Sequence, residues 1–181
     1  MIIPFVLCAC FFIIGIAYAS FVEWALHKYV MHKPVKIIGF TFDYPFQAHA
    51  CVHHNKFKAD QSYELQNHPK EVRIPDKRTI PMAWWNGPVL VFIASSPFIL
   101  FWLSGLTWIP FVGIGLSVGV YYGTYEYIHW CMHLPKNRWF ERTAIYKWIN
   151  EHHRLHHAHM GKNFNVVLPL ADFSLGTLIL E

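Results

Sequence analysis

The stretch Glu151-His152-His153-Arg154-Leu155-His156-His157-Ala158-His159 carries five imidazoles within eight positions. Histidine is a poor core residue, because each neutral ring leaves a lone pair that must find a partner. In a helix, His153, His156 and His157 stand at i, i+3 and i+4, so their rings converge on one face. An expression tag or a solvated histidine tract is usually an uninterrupted run, whereas these residues are spaced and internal. We therefore interpret the stretch as part of a metal site, since neutral imidazole is the commonest side-chain ligand.

The composition indicates an integral membrane protein. Of 181 residues, 54% are hydrophobic and only 14% are charged, against about 25% charged residues in an average soluble domain. Charged side chains are absent from Ile2 to Val22 and from Thr79 to Tyr125, and about 20 apolar residues suffice for a helix to cross the hydrocarbon layer. We predict one all-α domain over residues 1–181, a membrane bundle with about three spans, at 2–27, 88–103 and 108–130.

The basic residues predict the orientation of these spans. All fifteen Lys and Arg lie in two blocks, Lys28 to Arg78 and Lys136 to Lys162. With three spans both blocks face the same side, which the positive-inside rule places in the cytoplasm. The net charge of +4 is then explained by topology and anionic lipid, and no nucleic-acid partner is expected. Ala17-Tyr18-Ala19 resembles a signal-peptidase site, but the first turn has no basic residue, so we favour an uncleaved first span.

Three further histidine boxes lie next to the predicted spans: His27…His32, His49…His53-His54 and His129…His133. His129 and His133 share one helical face, as do His49 and His53. His27 and His32 are five apart, about 140° around an α-helix, so we expect them to serve two neighbouring ions. All boxes fall on the predicted cytoplasmic side. Single His68 is expected to be a surface residue, and the cysteines to be small buried hydrophobes.

Ten histidines on one side of the membrane are enough for two metal ions with about five imidazoles each. The predicted ligands are His27, His32, His49, His53, His54, His129, His133, His153, His156 and His157. Structural zinc sites are usually four-coordinate and rich in Cys, and soluble di-iron proteins use carboxylates, so neither type fits. Iron is the natural candidate for attack on an unactivated C–H bond. Residues that could orient the ligands are Glu23, Glu126, His152 and His159.

This set of boxes resembles the membrane-bound fatty acid hydroxylase/sterol desaturase superfamily over most of the chain, from Glu23 to Leu178. The first box, Glu23-Trp24-Ala25-Leu26-His27 through His32-Lys33-Pro34, is similar to that of the lipid 2-hydroxylase branch. The last box, His152-His153-Arg154-Leu155-His156-His157, and the ending Pro169…Asp172…Gly176-Thr177-Leu178 are also similar. The second box departs from the family pattern, with three residues rather than two between His49 and His53.

The resemblance implies a helical membrane enzyme with a cytoplasmic cap that encloses a two-metal centre. By box position, one metal would be bound by His27, His49, His53, His153 and His156. The other would be bound by His32, His54, His129, His133 and His157. The implied cofactors are two iron ions (with zinc possible in purified protein), O2 and electrons from a separate protein, such as cytochrome b5 or a ferredoxin with an NAD(P)H reductase.

The implied function is O2-dependent hydroxylation of a fatty acyl or related membrane lipid chain. We expect Phe42, Tyr44, Phe46 and Trp84 to line the route of that chain. A sterol or carotenoid oxidase and a desaturase of the same superfamily are the alternatives, although the three-residue gap in His129…His133 favours the acyl-lipid branch. A membrane metal transporter would need ligands near the middle of a span, and Gly87 to Val120 contains no ionisable side chain.

Overall fold

The computed structural model describes residues 2–57, 82–105 and 107–180. The expected surface position of His68 and most of the loop around it lie outside these residues. The elements are α1 (Ile2–Leu26), which continues as the π-helical turn π1 (His27–Met31), the strands β1 (Val35–Ile37) and β2 (Phe40–Phe42), α2 (Tyr44–Phe46), the π-helical segment π2 (Gln47–His53), α3 (His54–Lys56), α4 (Asn86–Ser95), a 3₁₀ turn (Ser96–Phe98), α5 (Ile99–Leu103), α6 (Ile109–His133), a second 3₁₀ turn (Trp139–Arg142), α7 (Ala144–Ala158) and α8 (Leu170–Ser174).

The chain is mostly helical, as predicted, but its described residues also include a short antiparallel hairpin that an all-α prediction did not include. Val35 pairs with Phe42 across the two strands. Gly39 occupies the turn with φ of 75°, a left-handed conformation that glycine adopts without steric cost. Pro34 precedes the hairpin and separates it from π1, because proline disfavours helical backbone at the residue before it.

In the part of the chain that the structure describes, two segments are long and apolar enough to cross a membrane, Pro4–Met31 and Asn86–Leu103. The second is interrupted by the 3₁₀ turn at Pro97, because proline cannot donate the helical hydrogen bond. The third predicted span corresponds to α6, with 25 residues. Its membrane crossing and the side of the membrane that the histidines face stay predictions.

Helix α6 is the central element, and both α1 and α4 pack against it. The contact with α1 is close because Gly113 faces it: a Cβ at Gly113 would lie 2.8 Å from the Cβ of Phe11. Ile114, Val118 and Tyr121 of α6 form a buried core with residues of both neighbours. This packing places the C-terminal ends of α1 and α6, which carry His27 and His133, side by side.

Helix α7 completes the arrangement from the other side of the histidines. The Thr143 hydroxyl caps its first turn by accepting from the amide of Tyr146 at 3.2 Å. Its inward face carries His152, His153 and His156, which are buried. Of the four cysteines, only Cys131 is buried and Cys10 is exposed, so the expectation of buried cysteines is correct for Cys131 alone.

Candidate metal centre

The ten predicted ligands converge in two groups of five, each able to hold one metal ion. Cluster 1 consists of His27, His32, His49, His54 and His156. Cluster 2 consists of His53, His129, His133, His153 and His157. Within each cluster the five candidate ligand atoms all lie within 4.8 Å of one another. Residues as much as 129 positions apart in the chain therefore share one small volume.

The Nε2 atoms of cluster 1 face one another at short range. The Nε2 of His49 lies 2.8 Å from that of His27 and 3.1 Å from that of His54. The Nε2 of His156 lies 3.2 Å from those of both His32 and His54.

Cluster 2 repeats this convergence with residues of other elements. The Nε2 of His133 lies 3.2 Å from that of His129 and 3.0 Å from that of His153. The Nε2 atoms of His153 and His157 are 3.1 Å apart. The ring of His53 completes the group, with its centroid 4.5 Å from that of His133.

These separations fit a first-row metal ion. With metal–nitrogen bonds of about 2.1 Å, neighbouring ligands at right angles lie about 3.0 Å apart, whereas tetrahedral ligands lie about 3.4 Å apart. The observed Nε2 separations of 2.8 to 3.2 Å match the right-angle case. Five nitrogen donors also exceed the four of a structural zinc site. The clusters thus suit five- or six-coordinate ions.

Backbone carbonyls determine which ring nitrogen of three ligands carries the proton. A carbonyl can only accept, so each bonded Nδ1 must donate and its Nε2 keeps a lone pair. The Nδ1 of His27 donates to the Phe164 carbonyl at 2.5 Å, and that of His156 donates to Lys162 at 2.7 Å. In cluster 2 the Nδ1 of His157 donates to Phe57 at 2.8 Å. Lone pairs that face each other at about 3 Å repel, and a bound cation removes this repulsion.

Burial keeps the imidazoles neutral. It lowers the pKa of His32 to about 4, with a further contribution from nearby His157, and it lowers the pKa of His157 to about 4. Burial, and then neighbouring imidazoles, also hold the pKa of His54, His153 and His156 below the usual range. Neutral imidazole is the form that binds metal. The site is therefore ready to bind cations at neutral pH.

The two clusters are neighbours, and each is covered by one phenylalanine. The rings of His54 and His157, one from each cluster, stack with centroids 4.3 Å apart. Phe57 packs on cluster 2, 4.3 Å from the His133 ring. Phe164 packs on cluster 1, 5.7 Å from the His27 ring. Each of these phenylalanines also supplies a carbonyl that orients a ligand, and neither role was predicted from the sequence.

The division of ligands between the two ions differs from the one that the family resemblance implies. His53 and His153 belong to cluster 2 rather than with His27, and His32 and His54 belong to cluster 1. The cause is the π-helical backbone, in which the amide of residue i+5 bonds the carbonyl of residue i. The amide of His32 bonds the carbonyl of His27 at 3.1 Å, so the two rings stack 5.1 Å apart instead of diverging. This grouping differs from the expectation that the two residues serve two ions.

The four residues predicted to orient the ligands have other contacts. Glu23 accepts hydrogen bonds from Tyr121 at 2.6 Å and from the amide of Val166 at 2.7 Å. Glu126 accepts from the amide of Met82 at 3.0 Å. Among the described residues, neither carboxylate has a hydrogen bond to an imidazole.

The two remaining residues of that set differ from each other. His152 is buried, and its Nε2 lies 3.1 Å from a carboxylate oxygen of Asp172, so it belongs to neither cluster. His159 is exposed and follows the last turn of α7, where its amide bonds the carbonyl of Leu155. Only His152 is therefore part of the buried surroundings of the ligands.

Asp172 organises the turn that supplies two of the orienting carbonyls. Its carboxylate accepts from the amides of Phe164 at 2.9 Å and Asn165 at 2.7 Å, and from the Thr177 hydroxyl at 2.6 Å. Asn163, between the two residues whose carbonyls accept from the ligands, is left-handed with φ of 53°. A sequence signal for Asp172 was present: it is the only charged residue between 163 and 180.

An apolar cavity of about 300 Å³ leads to both clusters. It lies between α1, α4 and α6 and ends at His27 and His49 of cluster 1 and at His53 and His129 of cluster 2. Of the aromatic residues predicted to line a substrate route, Phe42 and Tyr44 line this cavity, whereas Phe46 and Trp84 are absent from its lining. Trp85 lines the cavity instead.

No family model, no curated protein and no solved structure matches this chain.

Proposed function

We propose that this chain is a membrane-bound, O2-dependent hydroxylase that acts on a lipid acyl chain at a pair of histidine-bound iron ions. The observation that carries the proposal is the apolar cavity, because it connects the surface of a candidate membrane helix with residues of both clusters. A site for metal storage or transport has no need of such a cavity. A hydroxylase needs one, since its apolar substrate must reach the metals from the bilayer.

The chemistry of the ligands supports iron as the metal. All ten donors are neutral nitrogens, and the five positions of each cluster leave room for an open sixth position. When bound, an iron pair supplies the two-electron activation of O2 that insertion of oxygen into a C–H bond requires. Zinc has no redox chemistry, so zinc found in purified protein would mark an inactive form.

The protein's own residues hold and shield the reacting lipid. Val22, Leu26 and Met31 of α1 and π1 line the cavity opposite Val89 and Leu90 of α4. These side chains offer no hydrogen bond to water, so a methylene chain binds there by the hydrophobic effect. Val89 is 46% exposed as well as lining the cavity, which places an opening at α4. We therefore propose lateral entry of a single acyl chain beside α4.

The membrane arrangement that we propose has three spans, with α6 as the third, and both clusters at the cytoplasmic side. The two basic blocks of the sequence support this orientation through the positive-inside rule. Hydroxylation consumes one O2, two electrons and two protons, and yields one hydroxyl group and one water molecule. The electrons would come from a separate protein, such as cytochrome b5 or a ferredoxin with its NAD(P)H reductase, at the cytoplasmic face.

The test combines metal analysis with lipid mass spectrometry. The chain is expressed in cells grown with ¹⁸O2, and the purified protein is analysed for iron and zinc. The expected results are about two iron ions per chain, one in each cluster, and one ¹⁸O atom added to an acyl chain of a lipid class. The product should be absent from cells that express His153→Gln.

A matched control is His159→Gln, which changes an exposed histidine of the same stretch. It should retain both the iron and the product. The proposal fails if the lipid product forms without O2, if its oxygen comes from water, or if His153→Gln produces as much of it as the original chain.

A further inference from the structure

The segment that follows the last histidine box descends along α1 and returns. At its start, the Phe164 carbonyl accepts from His27 at 2.5 Å. Further on, the Leu168 carbonyl accepts from the Ser20 hydroxyl at 2.6 Å, and that hydroxyl in turn accepts from the amide of Ala171 at 3.1 Å. Thr177 then accepts from the Trp24 indole at 2.8 Å, and Trp24 lies about one helical turn nearer to His27 than Ser20 does. The loop thus enters and leaves on the side of the histidines.

The depth of this loop follows from helix geometry. Ser20 precedes His27 by seven residues, so the tip of the loop lies about 10 Å below cluster 1 along the axis of α1. Ser20 also lies three residues, or about 5 Å, below Glu23, the first charged residue of the chain. Residues 4–31 are long and apolar enough to span a membrane. The loop tip is therefore level with the uncharged part of that segment.

Polar side chains of the helices satisfy the backbone of the loop. The amide of Val166 donates to Glu23 at 2.7 Å, and the amide of Leu168 donates to the Tyr121 hydroxyl at 3.3 Å. Ser20 and Glu23 stand at i and i+3 on α1, so they present one polar stripe to the loop. Irregular backbone is tolerated at membrane depth only where protein supplies its hydrogen bonds. The bonds to Val166, Leu168 and Ala171 are of this kind, and they also explain polar residues inside an apolar helix.

The outer face of the loop is uncharged and mainly apolar, and Ser174 is its exposed polar residue. Its large exposed side chains are those of Leu168, Phe173, Leu175 and Leu180. Asp172, the only charged residue between 163 and 180, is fully buried. The exposed surface of this segment therefore carries no charge, and Phe173 is 74% exposed. A surface of this kind in water would lose the hydrophobic stabilisation that contact with acyl chains provides.

We infer that residues 163–180 form a re-entrant membrane loop whose exposed residues contact lipid acyl chains near the headgroup boundary. A depth of 5 to 10 Å is typical of segments that lie in this boundary. The loop holds the Phe164 carbonyl against His27, so it also sets the distance of cluster 1 from the bilayer. The inference rests on the proposed membrane crossing of α1, but it requires neither iron nor catalysis.

Collision accessibility of spin labels tests this inference. The four native cysteines are replaced by serine or alanine, and a nitroxide is attached to Phe173→Cys or Leu175→Cys in protein reconstituted into phosphatidylcholine vesicles. O2 concentrates in the hydrocarbon layer, whereas a polar nickel chelate stays in water. The ratio of O2 to nickel collisions at both sites should exceed that of an aqueous site roughly tenfold.

Two labelled sites on the same background serve as references. Met160→Cys is the aqueous reference, because Met160 is exposed beyond the end of α7, and Ile13→Cys is the membrane reference, because Ile13 is exposed in the middle of α1. Ratios at 173 and 175 that lie clearly above that of 160, between it and that of 13 or close to that of 13, support the loop. Ratios close to that of 160, or labels shielded from both reagents by a second chain, overturn it. An aqueous ratio at 13 itself would contradict the membrane crossing of α1.

Discussion

Cluster 1 takes its paired ligands from π-helical backbone, whereas cluster 2 takes them from α-helices. In cluster 1 the pairs are His27 with His32 and His49 with His54, each five residues apart. In cluster 2 the pairs are His129 with His133 and His153 with His157, each four residues apart. Each cluster receives its fifth ligand from a helix that mainly serves the other: His156 of α7, and His53 at the end of π2. The helical hydrogen-bond pattern therefore decides which spacing makes a ligand pair.

The hydrogen bonds that orient the ligands also differ between the two clusters. In cluster 1, the carbonyls of Lys162 and Phe164, two residues apart in one turn, orient His156 and His27. In cluster 2, the Nδ1 atoms of His133 and His153 are buried and have no hydrogen-bond partner among the residues that the structure describes. An unsatisfied buried donor costs about 1–3 kcal/mol. One turn thus orients two ligands of cluster 1, whereas in cluster 2 the Phe57 carbonyl orients His157 and buried side chains of α6 and α7 pack beside the ligands.

Loss of one ligand should have the largest effect and should distinguish the clusters. His156→Gln removes a ligand of cluster 1, and His133→Gln removes one of cluster 2. Each variant should bind about one iron per chain instead of two. Lipid turnover should fall by more than roughly 100-fold, because loss of a hydrogen-bond partner behind a ligand can already cost that much. Metal analysis and lipid mass spectrometry measure both effects. His159→Gln is the control, and retention of two ions by either ligand variant would break the two-cluster assignment.

Deletion of Tyr29 tests the π-helical register of cluster 1. It shortens the His27…His32 spacing from five to four, so the π-helical bond between these residues is no longer available. We expect the affinity of cluster 1 for Co²⁺ to fall roughly 100-fold, while cluster 2 keeps one ion. The shortened pair can still share one α-helical face, but its second ring is displaced from the position that the π-helical turn gives it relative to the other three ligands. A metal titration followed by visible absorption separates the two sites.

The matched control is Tyr29→Ala, which removes the half-exposed side chain but keeps the spacing. It should bind two ions with nearly the original affinities. If the deletion variant also binds two ions tightly, π-helical pairing is not what assembles cluster 1.

Filling the cavity should leave both clusters intact while slowing turnover. Val89→Trp places a bulky ring where the cavity opens at α4. Turnover should fall roughly 10- to 100-fold, because the acyl chain no longer reaches a productive position, while the iron content stays at two ions. Val120→Trp makes the same change at an exposed position of α6 outside the lining and should have little effect. Loss of iron in Val89→Trp would show that the cavity is part of the metal site.

Asp172→Asn should have the smallest effect and should act on cluster 1. The substitution weakens the hydrogen bonds that hold the turn around Phe164, whose carbonyl orients His27. We expect the Co²⁺ affinity of cluster 1 to fall roughly tenfold, measured in the His133→Gln background. Asp43→Asn, at an exposed position before α2, is the control. An equal loss at cluster 2, measured in the His156→Gln background, would contradict a specific link from Asp172 to His27.

The ten histidines that converge could be predicted from the sequence, but their division between the two clusters could not. Spacing of three and four residues was interpreted with α-helical geometry, which is correct for His129 with His133 and for His153 with His157. The same rule failed for His27 with His32, because these residues lie in a π-helical turn. Such a turn is stabilised by the tertiary packing around it, and no residue of the turn indicates it in the sequence. The roles of Phe57 and Phe164 could not be predicted from the sequence either. Every residue has a backbone carbonyl, so the residue type does not indicate which carbonyl orients a ligand.

By itself the sequence determined the local properties of this protein: apolar helices, a helical fold, neutral imidazoles in four boxes and a single charge, at Asp172, within residues 163–180. These follow from composition and spacing, which act between neighbours in the chain. Only the tertiary structure decided that the boxes form two clusters, that the cavity reaches both, and that the last segment returns to α1. Such contacts join residues more than 100 positions apart, and their geometry depends on how the helices pack.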